Sequence, residues 1–329
     1  MFKVVFAIVA ISLLLTFQYT VASERYVFCL DWVVYGRHAP YYVALAKGFY
    51  AARGLDIEIV QGYGSYDTIK RVGLGEATFG FADMGSLIIA RSEGIQVKCI
   101  GMVYHKAPYV IFFLARSGIQ QPKDLENRTI AATAGEAPRK IFPVFAQING
   151  VDNSKISWLI VAAEAKIPLL LTHKVDAIAE YVLTRPLLAN LAAEQGEEVR
   201  EILLADHGVD IYSNGLIVAD NFARQNPGAV KNFVEATFEG FVYTFTHTDE
   251  AVRILLQYKP ILDPEVALSE IDILRELMEL PDSRRPHIGW MEESKVRRTI
   301  ELISEAYELT IKLDPHSVYT NDYLPPIIK

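Results

Sequence analysis

From Tyr26 onward the hydrophobic period of the chain keeps changing: short apolar or alternating runs that suit strands give way to runs with apolar residues three and four apart that suit helices. "YVFCLDW" reads as a strand, and "APYYVALAK" as a helix with Tyr42, Leu45 and Ala46 on one face and Pro40 in its first turn. "LDIEIV" alternates as a half-buried strand does, and "GYGSYDTIKRVGLGEA" follows with Ser65 as a helix cap. "FGFAD" is a short strand, Ser86 can cap the helix "LIIARSE", and "VKCIGMVY" and "YVIFFLA" are further strands. After "SGIQQPKDLENR" the alternation resumes: "TIAAT", "ISWLIVA", "VDAIAEY" and "IYSNGLIVA" are strand-like, and "APRKIFPVFAQING", "EAKIPLLLTHK" and "RPLLANLAAEQ" lie between them as helices. From Asn221 on the chain is helical. Alternation of this kind builds mainly parallel sheets with helices on both faces. The sequence predicts two α/β halves and a helical tail.

The first residues follow another rule. Lys3 precedes an apolar run at 4–17 and small residues at 20–23, the pattern of a secretory signal, and the run is shorter than the roughly 20 residues that span a bilayer. Removal of residues 1–23 is expected to leave a soluble, exported protein large enough for two domains. The formal charge of −8 counts Lys3, so the mature chain is more acidic by one, which argues against nucleic acid or anionic lipid as a partner. Cys29 and Cys99 both lie in apolar, strand-like runs and are expected as buried thiols.

Four stretches, in this order and at these spacings, carry a family likeness: "LDWVVYGRHAPYYVALAKGFYAARGLDIEI", "GLGEATFGFADMGSLIIARSEGIQVKCIGMVY", "PKDLENRTIAAT" and "VDIYSNGLIVAD". They resemble the solute-binding proteins of bacterial ABC importers, in the branch that includes binders of thiamine pyrimidine precursors. "KGFYAARGLDIEI" is shared more widely, with sulfonate, taurine and nitrate binders. The resemblance covers nearly all of the mature chain. It implies the type II periplasmic binding protein fold, two α/β lobes joined by two hinge crossings with a cleft between them. Laid on this sequence, it gives lobe 1 as residues 24–114 and 215–329 and lobe 2 as 115–214, with crossings near 114–116 and 212–215. It further implies a monomer in the periplasm that closes on a small solute and delivers it to an ABC permease in the inner membrane, with no cofactor.

In parallel α/β sheets ligands gather at the carboxyl ends of strands. Residues 31–42 fall at such an end. Trp32 reads either as a core indole or as a stacking face for an aromatic solute, and the resemblance favours the second. His38 before Pro40 is a turn residue or a ligand contact; related pyrimidine binders carry a histidine near this point. Tyr42 can add a polar edge. Ser65 and Ser86 stand before helices, where capping and ligand contact through backbone amides are both open. In the second half Glu136 and Glu180 come at strand ends, either as a helix-start charge and a solvated loop residue or, beside Tyr104, Tyr181 and Tyr212, as acceptors for an N–H-bearing heterocycle.

None of these candidates is a lysine or arginine. An uncompensated Glu180 opposes an anion, so a neutral or cationic solute such as a thiamine pyrimidine precursor is expected, with taurine, a sulfonate or nitrate as the alternative. An enzyme is the rival class, because eukaryotic pyrimidine synthases of thiamine biosynthesis share the fold. Those carry a cysteine-rich motif in their second half, and this chain has no cysteine after Cys99. No H-E-x-x-H or G-x-S-x-G pattern occurs either.

Overall fold

The computed structural model describes residues 25–278 and 287–325, so the expected signal at 1–23 lies outside the described residues. Its first part runs β1 (Arg25–Cys29), α1 (Ala39–Ala46), β2 (Asp56–Val60), α2 (Ser65–Gly73), β3 (Phe79–Asp83), α3 (Met84–Ser92) and β4 (Val97–Met102). A second set follows: β5 (Tyr109–Leu114), β6 (Thr129–Ala132), α4 (Ala137–Ile148), β7 (Ser157–Ile160), α5 (Lys166–Leu171), β8 (Ala177–Tyr181), α6 (Arg185–Ala193) and β9 (Val199–Leu203). The chain ends with β10 (Asn214–Ala219), α7 (Asp220–Gln225), α8 (Pro227–Thr246), α9 (Thr248–Tyr258), α10 (Pro264–Leu277), α11 (Glu293–Ala306) and α12 (Pro315–Val318).

The strands make two five-stranded sheets, ordered β2-β1-β3-β10-β4 and β7-β6-β8-β5-β9. Each sheet holds a single antiparallel strand between parallel ones, β10 in the first and β5 in the second. These are the strands the chain enters immediately after a crossing, at residues 103–108 and 204–213. The first crossing therefore precedes "YVIFFL" rather than following it, and β5 belongs to the second sheet, not to the first as the expected boundary at 114–115 had it. The reason is plain in its packing: all six residues of β5 are buried, and β8 and β9 pair with it on either side. The second crossing ends at β10, close to the expected 212–215. One strand escaped the sequence reading altogether: β9, "VREIL", is short and carries two charges, and only its pairing with β5 makes it a strand.

The helical tail returns to the first sheet. Phe233 of α8 stacks on Phe79 of β3 at 3.8 Å between ring centres, and Phe28 of β1 meets Phe233 edge-on at 5.1 Å. Burying each such ring contributes roughly 1.5–3 kcal/mol. Two glycines permit the closest approaches. A Cβ on Gly240 of α8 would lie 2.4 Å from the Pro40 carbonyl oxygen, and one on Gly36 would lie 2.3 Å from that of Ala267 in α10. Both cysteines are free and buried, and burial pushes the Cys99 thiol up to about 12.

The carboxyl ends of the two sheets face each other. Asp83 closes β3, and its carboxylate accepts a hydrogen bond from the Tyr109 hydroxyl at 3.3 Å. Tyr109 opens β5 and is paired in register with Tyr181, the last residue of β8. Strand ends from both sheets thus meet at the junction of the lobes.

Candidate functional site

The crowding of Trp, Tyr, Arg and His after β1 resolves into a buried polar network that fixes one wall of the cleft. The Tyr35 N–H donates to Nδ1 of His38 at 3.0 Å, so the ring proton sits on Nε2 and is donated to Asp31 at 2.9 Å. Asp31 also accepts from Asn214 Nδ2 at 3.0 Å and from Arg37 at 3.5 Å. Burial would raise the Asp31 carboxyl, but Arg37 and His38 outweigh it and hold it below the ordinary range. Burial, reinforced by the charge of Arg37, lowers His38 to about 4. Glu270 of α10 accepts the Gly36 N–H at 2.5 Å and ties the same turn to the helical tail. The Asp31 carbonyl accepts the Gly64 N–H at 2.8 Å, which sets the loops after β1 and β2 side by side.

On this base Trp32 is 47% exposed and the neighbouring Tyr63 73% exposed, an aromatic rim where a solvent-facing turn would ordinarily carry polar residues. Trp32 is therefore not a core indole. His38 is not a cleft residue: it is fully buried with both nitrogens engaged, because its job is to hold Asp31. Tyr42 is turned away from the cleft as well, its ring 5.1 Å from Tyr258 of α9. Tyr104, 1% exposed, packs edge-on against Phe81 at 5.6 Å. Tyr212 joins the second crossing to the tail: its hydroxyl accepts the Glu292 N–H at 2.8 Å and Lys295 lies over its ring. Each of these four was expected to contact solute; His38 and Tyr104 are held instead by groups of the first sheet and its loops, and Tyr42 and Tyr212 by the tail.

Asp83 organises the junction of the lobes. It caps α3 by accepting the Ser86 N–H at 2.8 Å and the Ser86 hydroxyl at 3.2 Å. It also accepts the Ser213 hydroxyl at 2.9 Å from the second crossing, and its own N–H donates to Ser65 Oγ at 3.0 Å. The N-caps are Gly64 and Asp83, not Ser65 and Ser86 as expected: Ser65 Oγ accepts the Asp83 N–H and the Ser86 hydroxyl donates to the Asp83 carboxylate. Burial pushes the Asp83 carboxyl up in spite of these donors. Tyr307, at the end of α11, is raised to about 12 by burial and then by Asp83.

In lobe 2 the strand ends bring Glu136, Glu180 and Tyr181 together, as expected, and add a residue that the sequence reading missed. Lys166, at the start of α5 and 2% exposed, donates to Glu136 Oε2 at 2.8 Å and the Ala179 carbonyl at 2.9 Å and pairs its charge with Glu180 Oε2 at 2.6 Å. The expectation of a cleft without a fixed cation is thereby corrected. Glu136 Oε1 accepts the Thr133 N–H at 2.8 Å, so both of its oxygens are engaged. Burial raises the Glu136 carboxyl, and Lys166 offsets only part of that. Glu180 keeps an oxygen that takes no hydrogen bond among the described residues. The buried Thr133 hydroxyl, one residue past β6, also lacks a partner there. Tyr181 meets Tyr109 edge-on at 5.9 Å. The signal for Lys166 was present: one lysine in the otherwise apolar run "AKIPLLL". Asp83, Tyr109 and Asn214 gave none beyond their positions at strand ends.

Residues 36–251 match the family described as NMT1/THI5 like. The chain belongs to the NMT1/THI5-like family. Within it, the chain is 27% identical over 300 residues to the riboflavin-binding protein RibY of Chloroflexus aurantiacus, covering 87% of this chain and 82% of that one. It is 24% identical to the formylaminopyrimidine-binding protein of Halalkalibacterium halodurans, covering 85% and 87% of the two chains. It is also 25% identical to a 4-amino-5-hydroxymethyl-2-methylpyrimidine phosphate synthase of Legionella pneumophila, covering 92% and 93%. The chain's relatives thus include proteins named as binders and a protein named as a synthase. The fold is that of a periplasmic binding protein: the aliphatic sulphonate binding protein SsuA of Escherichia coli superposes with a TM-score of 0.71 at 16% identity, covering 89% of this chain and 91% of that one.

Proposed function

We propose that this protein is the periplasmic solute receptor of an ABC importer and that its solute is an N–H-bearing heteroaromatic, with an aminopyrimidine of the thiamine-precursor type first and the isoalloxazine of riboflavin second. The observation that carries the reading is the pairing of chemistries on the two walls: the exposed Trp32 ring on lobe 1 and the free acceptor oxygen of Glu180 on lobe 2. A planar heterocycle stacks on the first and donates to the second. Exocyclic amino groups satisfy a carboxylate better than the single imide N–H of a flavin, which is flanked by carbonyl oxygens. The names of the RibY and formylaminopyrimidine-binding relatives support a heteroaromatic solute.

A receptor is favoured over a synthase by the residues themselves. The chain has no cysteine after Cys99, and burial pushes both of its thiols up, away from the reactive thiolate. The apolar leader read in residues 4–17 fits an exported receptor, and no helix of the described residues is long and apolar enough to cross a membrane. The mechanism is hinge closure about 103–108 and 204–213: solute settles on one lobe, the other adds its contacts and excludes water, and the permease docks on the closed shape. The test is isothermal calorimetry on ligand-stripped protein with 4-amino-5-hydroxymethyl-2-methylpyrimidine, formylaminopyrimidine, riboflavin, taurine and nitrate. Binding confined to taurine or nitrate overturns the solute class, and turnover of a pyrimidine precursor without stable binding overturns the receptor.

A further inference from the structure

A lysine that is almost completely buried at the edge of a binding cleft demands an explanation, because an ammonium in that position either meets the solute or is consumed by the protein. Here it is consumed. Lys166 donates to Glu136 at 2.8 Å and to the Ala179 carbonyl at 2.9 Å, and its ammonium forms an ion pair with Glu180 Oε2 at 2.6 Å. Two carboxylates against one ammonium leave a single net negative charge, and the oxygen not held by Lys166 or by the Thr133 N–H belongs to Glu180.

We propose that Lys166 and Glu136 together set the solute class: Glu136 removes the lysine's capacity to hold an anion, and Lys166 in turn fixes Glu180 so that its free oxygen meets an N–H donor. This inference deepens the receptor reading and rests on it for the identity of the N–H donor. Its core is a rejection device. Specificity is a difference of affinities, and an unsatisfied negative charge on a cleft wall disfavours sulfonate, nitrate and phosphate groups while it favours N–H donors. Without Glu136 the same wall would present a neutral Lys166–Glu180 pair in place of a net negative charge. Glu136 is thus not a solute contact but the residue that decides which charge the solute sees.

The experiment is a charge ladder in formal charge, read by calorimetry at about pH 6. Wild type, Glu136→Gln, Glu136→Gln/Glu180→Gln and Glu136→Gln/Glu180→Gln/Lys166→Met carry one net negative charge, none, one positive and none. The probes are ethanesulfonate and 4-amino-5-hydroxymethyl-2-methylpyrimidine. Ethanesulfonate affinity is expected to rise from wild type to the double variant by about tenfold or more, to weaken with added sodium chloride there, and to collapse in the triple variant. The aminopyrimidine is expected to survive Glu136→Gln and to be lost in the double variant.

If the double variant does not fold, Glu136→Gln alone carries the test. Gln can still accept the Thr133 N–H, and ethanesulfonate must bind it more tightly than wild type. Ethanesulfonate binding by wild type, or equal affinity in the double and triple variants, overturns the proposal. A wild type that binds no heteroaromatic removes the proposed solute while the ethanesulfonate series still decides the role of Lys166.

Discussion

Nε2 of His38 donates to the carboxylate of Asp31 across 2.9 Å while Nδ1 accepts the Tyr35 N–H, so the imidazole is locked neutral inside lobe 1. A histidine lowered to about 4 binds fewer protons folded than unfolded. Its contribution is fully present above the unfolded value of 6.5 and is lost as pH falls toward 4. The size is about 3 kcal/mol at most. Asp83, Glu136 and Glu270 are raised and pull the other way at acid pH, whereas Asp31, lowered from 3.8 by Arg37 and His38, pulls the same way only below that value, so the difference between wild type and His38→Gln is read above it. Urea unfolding at pH 7 and at pH 4.5 is expected to show a smaller acid loss in His38→Gln, which is itself weaker at neutral pH by about 1–3 kcal/mol. Equal acid losses in the two proteins would contradict the neutral assignment.

Replacing Trp32 with Ala is expected to cost about 1–3 kcal/mol of solute binding, the size seen when aromatic side chains stack on planar bases. The melting temperature should hardly move, because the ring is 47% exposed and closes no cavity. A well-folded variant with wild-type affinity would take Trp32 out of the site.

Gly36 has no room for a side chain. A Cβ there would meet the carbonyl oxygen, Cα and carbonyl carbon of Ala267 at 2.3, 2.5 and 2.8 Å, and backbone atoms cannot swing away. Gly36→Ala should destabilise by about 1–3 kcal/mol or more by overpacking. It should also weaken solute binding by shifting the turn that holds Asp31. Gly228→Ala in the first turn of α8, with nothing within 4 Å, is the control and should be neutral or stabilising by about 0.4–1 kcal/mol. Matching denaturation midpoints for the two variants would deny the close packing of the turn on α10.

Most elements could be read from local pattern because a strand such as "FGFAD" or a helix such as "SYDTIKRVG" carries its own period and punctuation. β5 and β9 could not be placed this way: their membership is decided by partners about seventy to ninety residues distant in the chain, and periodicity holds no such information. The site divides similarly. Trp32, Glu180 and Tyr181 stand at or just past strand ends, a position the local pattern alone makes legible. His38, Tyr104 and Tyr212 stand at equivalent positions but are covered by α10 and α11 or by packing within lobe 1, and Lys166 acquires its meaning only when β6 and β8 bring two carboxylates to it.

The most direct measurement is the affinity of ligand-stripped wild type and Glu180→Gln for 4-amino-5-hydroxymethyl-2-methylpyrimidine, formylaminopyrimidine, riboflavin and taurine under one buffer condition. An amide in place of the free carboxylate oxygen gives up a charge-assisted hydrogen bond, so a heteroaromatic should bind wild type far more tightly than taurine and lose about 1.5–3 kcal/mol in the variant. Tight taurine binding by wild type, with no heteroaromatic response and no change in Glu180→Gln, would contradict the assignment of the cleft.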